Sequence, residues 1–97
     1  MKQPPLSPLQ LQLLTITITE KSGTDIQKLY KEKTGTRITA GALYTTLRRM
    51  NQKKLITKRE EKSKSKDTRV RYYQTTKTGQ AKLTQAREYY QELSKFQ

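Results

Sequence analysis

Apolar residues recur along this chain mainly at helical intervals. Leu43, Leu47 and Met50 stand at i, i+4 and i+7, one face of a helix. Thr39 precedes them as a candidate N-cap, and the spacing predicts a helix over residues 40–53. At about 100° per residue its opposite face carries Gly41, Thr45, Arg48 and Gln52, flanked by Tyr44 and Arg49. Upstream, Ile26, Leu29 and Tyr30 form the stripe of another helix, capped by Ser22 or Thr24, with Asp25 near its positive end and Gly35 as its stop. Residues 20–23 read as a turn before it, and Arg37-Ile38 as a very short strand after it.

The N-terminal stretch reads two ways. Leu9, Leu11 and Leu13 alternate with Gln, and Ile16 and Ile18 with Thr, which is strand periodicity. Leu6, Leu9, Leu13 and Ile16 also make a helical face, and Leu11, Leu14 and Ile18 a second one. Ser7-Pro8 is a good helix start, so the reading leans to a helix over about residues 8–20, after a Pro-containing tail over 1–6. Past the 40–53 helix, residues 55–59 read as a strand, residues 62–68 as a polar basic loop, and residues 69–75 as a second strand. On that strand Tyr72 and Tyr73 point to opposite sides, so at most one is core. Thr76 caps a last helix over about 77–95, with apolar Leu83, Ala86, Tyr89, Tyr90, Leu93 and Phe96. Three helices followed by a hairpin is the order of a winged helix-turn-helix, a mainly α fold with a small β-hairpin.

Composition narrows the function. In 97 residues, 21 Lys and Arg face 8 Asp and Glu, a net charge of +13, which points to DNA, RNA or an anionic membrane surface. There are no cysteines and no histidines, which removes disulfides, thiolate metal sites and histidine acid–base chemistry. No apolar run approaches the roughly 20 residues of a membrane span, and the first five residues lack a signal-peptide apolar region. The expectation is a cytoplasmic, nucleoid-associated, non-enzymatic protein with no cofactor, no metal and no membrane partner. With only 31% apolar residues the core is thin, and small domains are marginal alone, so a second subunit would help.

The charge is concentrated. Residues 48–71 hold eleven Lys and Arg against Glu60, Glu61 and Asp67, a net of +8. These residues form the end of the third helix and the hairpin, the elements that meet DNA in this architecture. Ala40 and Gly41 are small, letting backbone approach a phosphate or base edge; Thr45, Arg48 and Gln52 point outward to bases, and Tyr44 to a phosphate from the flank. Arg49 stands beside them. Lys62, Lys64, Lys66, Arg69 and Arg71 on the wing would meet phosphate, contacts that position the protein and make binding salt-dependent.

The stretch Thr39-Ala40-Gly41-Ala42-Leu43-Tyr44-Thr45-Thr46-Leu47-Arg48-Arg49-Met50 resembles the third helix of PadR-like transcriptional regulators. Lys54-Leu55-Ile56 resembles that family's entry into the wing, and Arg71-Tyr72-Tyr73 with Thr76 and Gly79 its second wing strand and last helix start. Gly23 and Ile26 fit the opening of its second helix. The resemblance, over about residues 7–90, implies a dimeric repressor on a pseudo-palindromic promoter site. The expected organisation is a DNA-binding domain over 7–76 and a single C-terminal dimerisation helix over 77–97, in a short form without the larger C-terminal domain of longer members. The interface expected from it uses the last helix and the first: Leu83, Ala86, Tyr89, Tyr90, Leu93 and Phe96, with Leu9 and Leu13. Two departures stand out: Thr24 replaces an aromatic, and Thr75 an apolar residue, which thins the core. Some relatives bind planar drugs or phenolic acids in the dimer interface, in certain cases using tryptophan; this chain has no Trp, and any small-molecule effector is unknown. Two other readings remain, a basic RNA-binding or architectural protein and a winged-helix protein-interaction module.

Overall fold

A computed structural model of the chain describes residues 6–63 and 68–96. Each helix starts where a side chain satisfies the free N–H groups of its first turn. Helix α1 (Pro8–Ile16) opens with a capping box: Ser7 Oγ accepts from the Gln10 N–H at 3.2 Å and Gln10 Oε1 accepts from the Ser7 N–H at 3.1 Å. Strand β1 (Lys21–Ser22) leads straight into α2 (Gly23–Thr34), whose cap is Ser22 and whose stop is Gly35 at φ 73°. Thr39 caps α3 (Ala40–Gln52), which is followed by β2 (Ile56–Lys62) and β3 (Arg69–Thr75). Thr76 caps α4 (Lys77–Ser94).

The two wing strands pair antiparallel, Ile56 opposite Thr75 through Lys62 opposite Arg69, and β1 adds to the other edge of β3, giving the order β1-β3-β2. The turn read over residues 20–23 is therefore partly a strand. Two residues carry no periodicity of their own; Lys21 and Ser22 are extended because they pair with Tyr73 and Tyr72. Arg37-Ile38 forms no strand: Ile38 is a buried coil residue whose carbonyl accepts from Gln27 Nε2 at 3.2 Å.

Helix α1 ends four residues before the sequence pattern predicts, within its β-branched run. Thr17 leaves the helix, and its carbonyl accepts from the Thr75 N–H at 2.8 Å. Thr75 also explains the polar residue at an apolar position. Its hydroxyl lies 2.8 Å from the Leu14 carbonyl and 2.9 Å from Thr17 Oγ1, itself 2.8 Å from the Leu13 carbonyl. Thr75 donates to Leu14 O and Thr17 to Leu13 O, so both hydroxyls are spent on carbonyls at the end of α1. The residue that thins the core also ties the wing to the C-terminal end of α1. Thr75→Val leaves Leu14 O without this donor and should cost about 1–2 kcal/mol in urea-induced unfolding. A variant as stable as the parent would show the bond adds nothing.

One apolar cluster runs from Leu6 to Ala86, with Leu13, Leu14, Ile26, Leu43, Leu47, Met50 and Ala86 fully buried. Leu6, read with the tail, belongs to it, and Tyr90 Oη donates to its carbonyl at 2.8 Å. Helix α4 enters the same cluster through Leu83 and Ala86. Leu13, Leu83 and Ala86 were expected at a subunit interface; instead the protomer's own core covers them, leaving them at most 3% exposed. Their spacing marks a buried face without saying whose side chains bury it. Helix α4 seats at Gly79, where an added Cβ would overlap the Leu55 carbonyl oxygen and stand 2.7 Å from Thr75 Cγ2.

Candidate nucleic-acid interface

Residues directly opposite in an antiparallel pair share a sheet face. Ile56 with Thr75, Lys58 with Tyr73, Glu60 with Arg71, and Lys62 with Arg69 therefore lie on one side. Because Ile56, Tyr73 and Thr75 are buried, that side faces the helices. Thr57 with Gln74, Arg59 with Tyr72, and Glu61 with Val70 lie on the outer side. Of the tyrosine pair, Tyr73 is the core residue and Tyr72 the half-buried outer one, with the Arg59 guanidinium 4.6 Å from its ring centre.

A cleft of about 370 Å³ separates α3 from this inner face. Ala40, Gly41, Tyr44, Thr45, Arg48 and Asn51 line it from the helix, Lys58, Arg71 and Tyr73 from the wing. Arg48 is exposed and Thr45 half-buried, while Gly41 has open space where a Cβ would stand. Arg49 and Gln52 are exposed on α3 but do not line the cleft. Lys58 and Asn51 were absent from the sequence-derived set. Lys58 has the strand parity of the apolar Ile56, and that signal would have found it. Asn51 Nδ2 donates to the Ile56 carbonyl at 3.0 Å, fixing the end of α3 against the start of the wing. Burial raises the Tyr73 phenol above its usual pKa against the opposing pull of Arg71, so it stays neutral. Its contribution to stability is complete below the unfolded value and is lost as pH rises through the raised folded one.

Tyr44 is the wall between this cleft and a second one of about 340 Å³, lined also by Gly23, Thr24, Glu60, Arg69 and Arg71. Its ring lies over Gly23, where an added Cβ would overlap Tyr44 Oη and stand 2.9 Å from Cε1. Thr24, expected to thin the packing here, is exposed at the mouth of this cleft and takes no part in the core. Gly23→Ala meets only the far end of a movable side chain. It should swing Tyr44 out and weaken duplex binding several-fold while changing stability by less than about 1 kcal/mol. Unchanged affinity would deny Tyr44 a role there.

The wing arginines are not bare. Glu60 takes Arg69 Nη1 at 3.3 Å and Arg71 Nε at 3.2 Å, and on the outer side Arg59 binds Glu20 at 2.6 Å and also Glu61. Lys62 is exposed at the end of β2, and Lys64 and Lys66 lie outside the described residues. Among the described residues no His, Cys, Asp and Glu cluster could hold a metal, and no helix is long and apolar enough to cross a membrane.

Four helices, a small three-stranded antiparallel sheet, and a basic cleft between the third helix and a hairpin define a winged helix-turn-helix protein. The model of the transcriptional regulator PadR-like family matches residues 11–85, and the chain belongs to that family. Its members are transcriptional regulators, not enzymes. Similar solved structures include a PadR family transcriptional regulator from Eggerthella lenta, 24% identical with a TM-score of 0.80, covering 90% of this chain and 75% of that one. Another is RosR of H. salinarum, 27% identical with a TM-score of 0.74, covering 94% and 77%. A third is Bacillus subtilis PadR in complex with operator DNA, 25% identical with a TM-score of 0.71, covering 79% of this chain and 45% of that one. A search of curated protein sequences finds no match.

Proposed function

We propose that this regulator binds double-stranded DNA as a homodimer and represses transcription by occupying a pseudo-palindromic promoter site. The observation that carries the reading is the cleft between α3 and the inner face of the wing, with Arg48 on one wall and Lys58 and Arg71 on the other. A helix fits the major groove of B-form DNA, and its outward side chains then reach base edges. Arg48 reads guanine, with Thr45 and Gln52 as further base contacts. Ala40 and Gly41 allow close approach, and Tyr44, Arg49, Lys58, Lys62, Lys64, Lys66, Arg69 and Arg71 hold the backbone. The solved complex of Bacillus subtilis PadR with operator DNA supports this use of the fold.

For the dimer, support comes from apolar surface at the end of α4. Leu93 is 44% and Phe96 86% exposed, while Tyr89, Tyr90, Leu9 and Leu11 are half-buried. Two copies would face half-sites about 34–36 Å apart, one helical turn, or a multiple of it. Competition between genomic duplex and structured RNA at near-physiological salt tests the partner. Preference for duplex supports the reading; preference for RNA, or affinity that vanishes at that salt, overturns it.

A further inference from the structure

Two acidic residues sit side by side on the wing, and the register sends them to opposite faces. Glu61 lies on the outer side with Arg59. Glu60 lies on the helix-facing side, directly opposite Arg71, and lines the second cleft with Arg69, Arg71 and Tyr44. One of its carboxylate oxygens takes Arg69 and the other takes Arg71. A phosphate group would meet the same two guanidiniums in the same way, through two oxygens.

We propose that Glu60 is an internal competitor for DNA phosphate, occupying Arg69 and Arg71 so that the wing holds DNA less tightly irrespective of sequence. The inference rests on the DNA-binding reading above and adds a residue that sets the balance between base reading and bulk charge attraction. With Arg69 77% and Arg71 52% exposed at their side chains, a backbone can reach both. To take them it must displace the carboxylate or lie beside its charge. The Arg69 hydrogen bond, aided by Arg71 and opposed by burial, holds the Glu60 carboxyl below its usual pKa, so the charge persists at neutral pH.

The gain is useful because backbone contacts supply most non-specific affinity, and a chain of net charge +13 has an excess of it. Removing the competitor should add about one phosphate neutralised per subunit. On duplex DNA that steepens the slope of log affinity against log salt by about 0.9 per subunit engaged, or roughly eightfold tighter binding per subunit at about 0.1 M salt.

The test compares Glu60→Gln with Glu61→Gln, which make the same change in net charge one residue apart, on a duplex of unrelated sequence over a range of sodium chloride concentrations. Glu60→Gln should bind about eightfold tighter per subunit engaged, with the steeper slope, and Glu60→Ala should move the same way. Glu61→Gln should stay within about twofold of the parent. Equal gains for both glutamines would reduce the effect to net charge, and no gain or a loss with Glu60→Gln would make the residue a brace for the hairpin; either overturns the inference. If the parent protein binds no duplex at all, the DNA-binding reading fails and the inference with it.

Discussion

Gly79→Ala should destabilise the protein by about 3 kcal/mol or more, the cost of forcing a methyl group into filled space. For a domain of this size that is a fall in melting temperature of roughly 12 °C or more. The reason is what the new methyl meets. At Gly79 it meets the Leu55 carbonyl oxygen, which also accepts from the Thr76 N–H at 3.0 Å and lies 3.1 Å from Thr76 Oγ1. Moving that carbonyl disturbs the cap of α4 and the junction between α3 and the wing together. Gly23 is crowded to a similar degree, yet there the neighbour is a tyrosine tip that can rotate away. The two substitutions should therefore separate by several degrees in a thermal melt. Similar small shifts for both would mean that the seat of α4 is softer than the geometry describes.

Arg48→Ala should relax base preference at one position of each half-site, at about 1–3 kcal/mol of discrimination, roughly 5- to 150-fold. Lys58→Ala, on the opposite wall, should weaken every duplex alike and lower the salt slope by about 0.9 per subunit, because a phosphate contact carries no sequence information. The pair is informative because both residues line one cleft and carry the same charge. Binding measured on a panel of single-base variants separates them. A uniform loss with Arg48→Ala would remove it from base readout and leave it a backbone contact.

Helix α3 was legible almost to the residue, since its stripe, its cap and its exposed face all follow from one periodicity. The caps Ser7, Thr39 and Thr76 and the stop at Gly35 were legible for the same local reason. What was not legible depends on partners distant in the chain. Thr15 to Thr19 suits either helix or strand, and the outcome is set by the Thr75 N–H, which captures the Thr17 carbonyl. Strand β1 exists through pairing with Tyr72 and Tyr73. Leu83 and Ala86 form a clear apolar face, but whether the same chain or a second copy covers it is not written in the spacing. Lys58 could have been assigned to the helix-facing side by parity with Ile56. Glu60 entered the sequence reading only as a negative charge; its place between two arginines requires the hairpin register.

These features give a consistent physical picture of the candidate interface. The core holds α3 by one stripe, Leu43, Leu47 and Met50, and leaves the opposite stripe free to face a groove. Asn51 Nδ2 on the Ile56 carbonyl and the Leu55 N–H on the Met50 carbonyl tie the start of the wing to the end of that helix.

The most direct measurement of the central claim is selection of genomic DNA fragments by the purified protein at near-physiological salt. A dimeric, sequence-reading regulator should recover a small number of fragments that share an inverted repeat, with half-sites about one helical turn, or a multiple of it, apart. Recovery of all fragments equally, with affinity collapsing as salt rises, would contradict it and leave charge alone as the basis of binding.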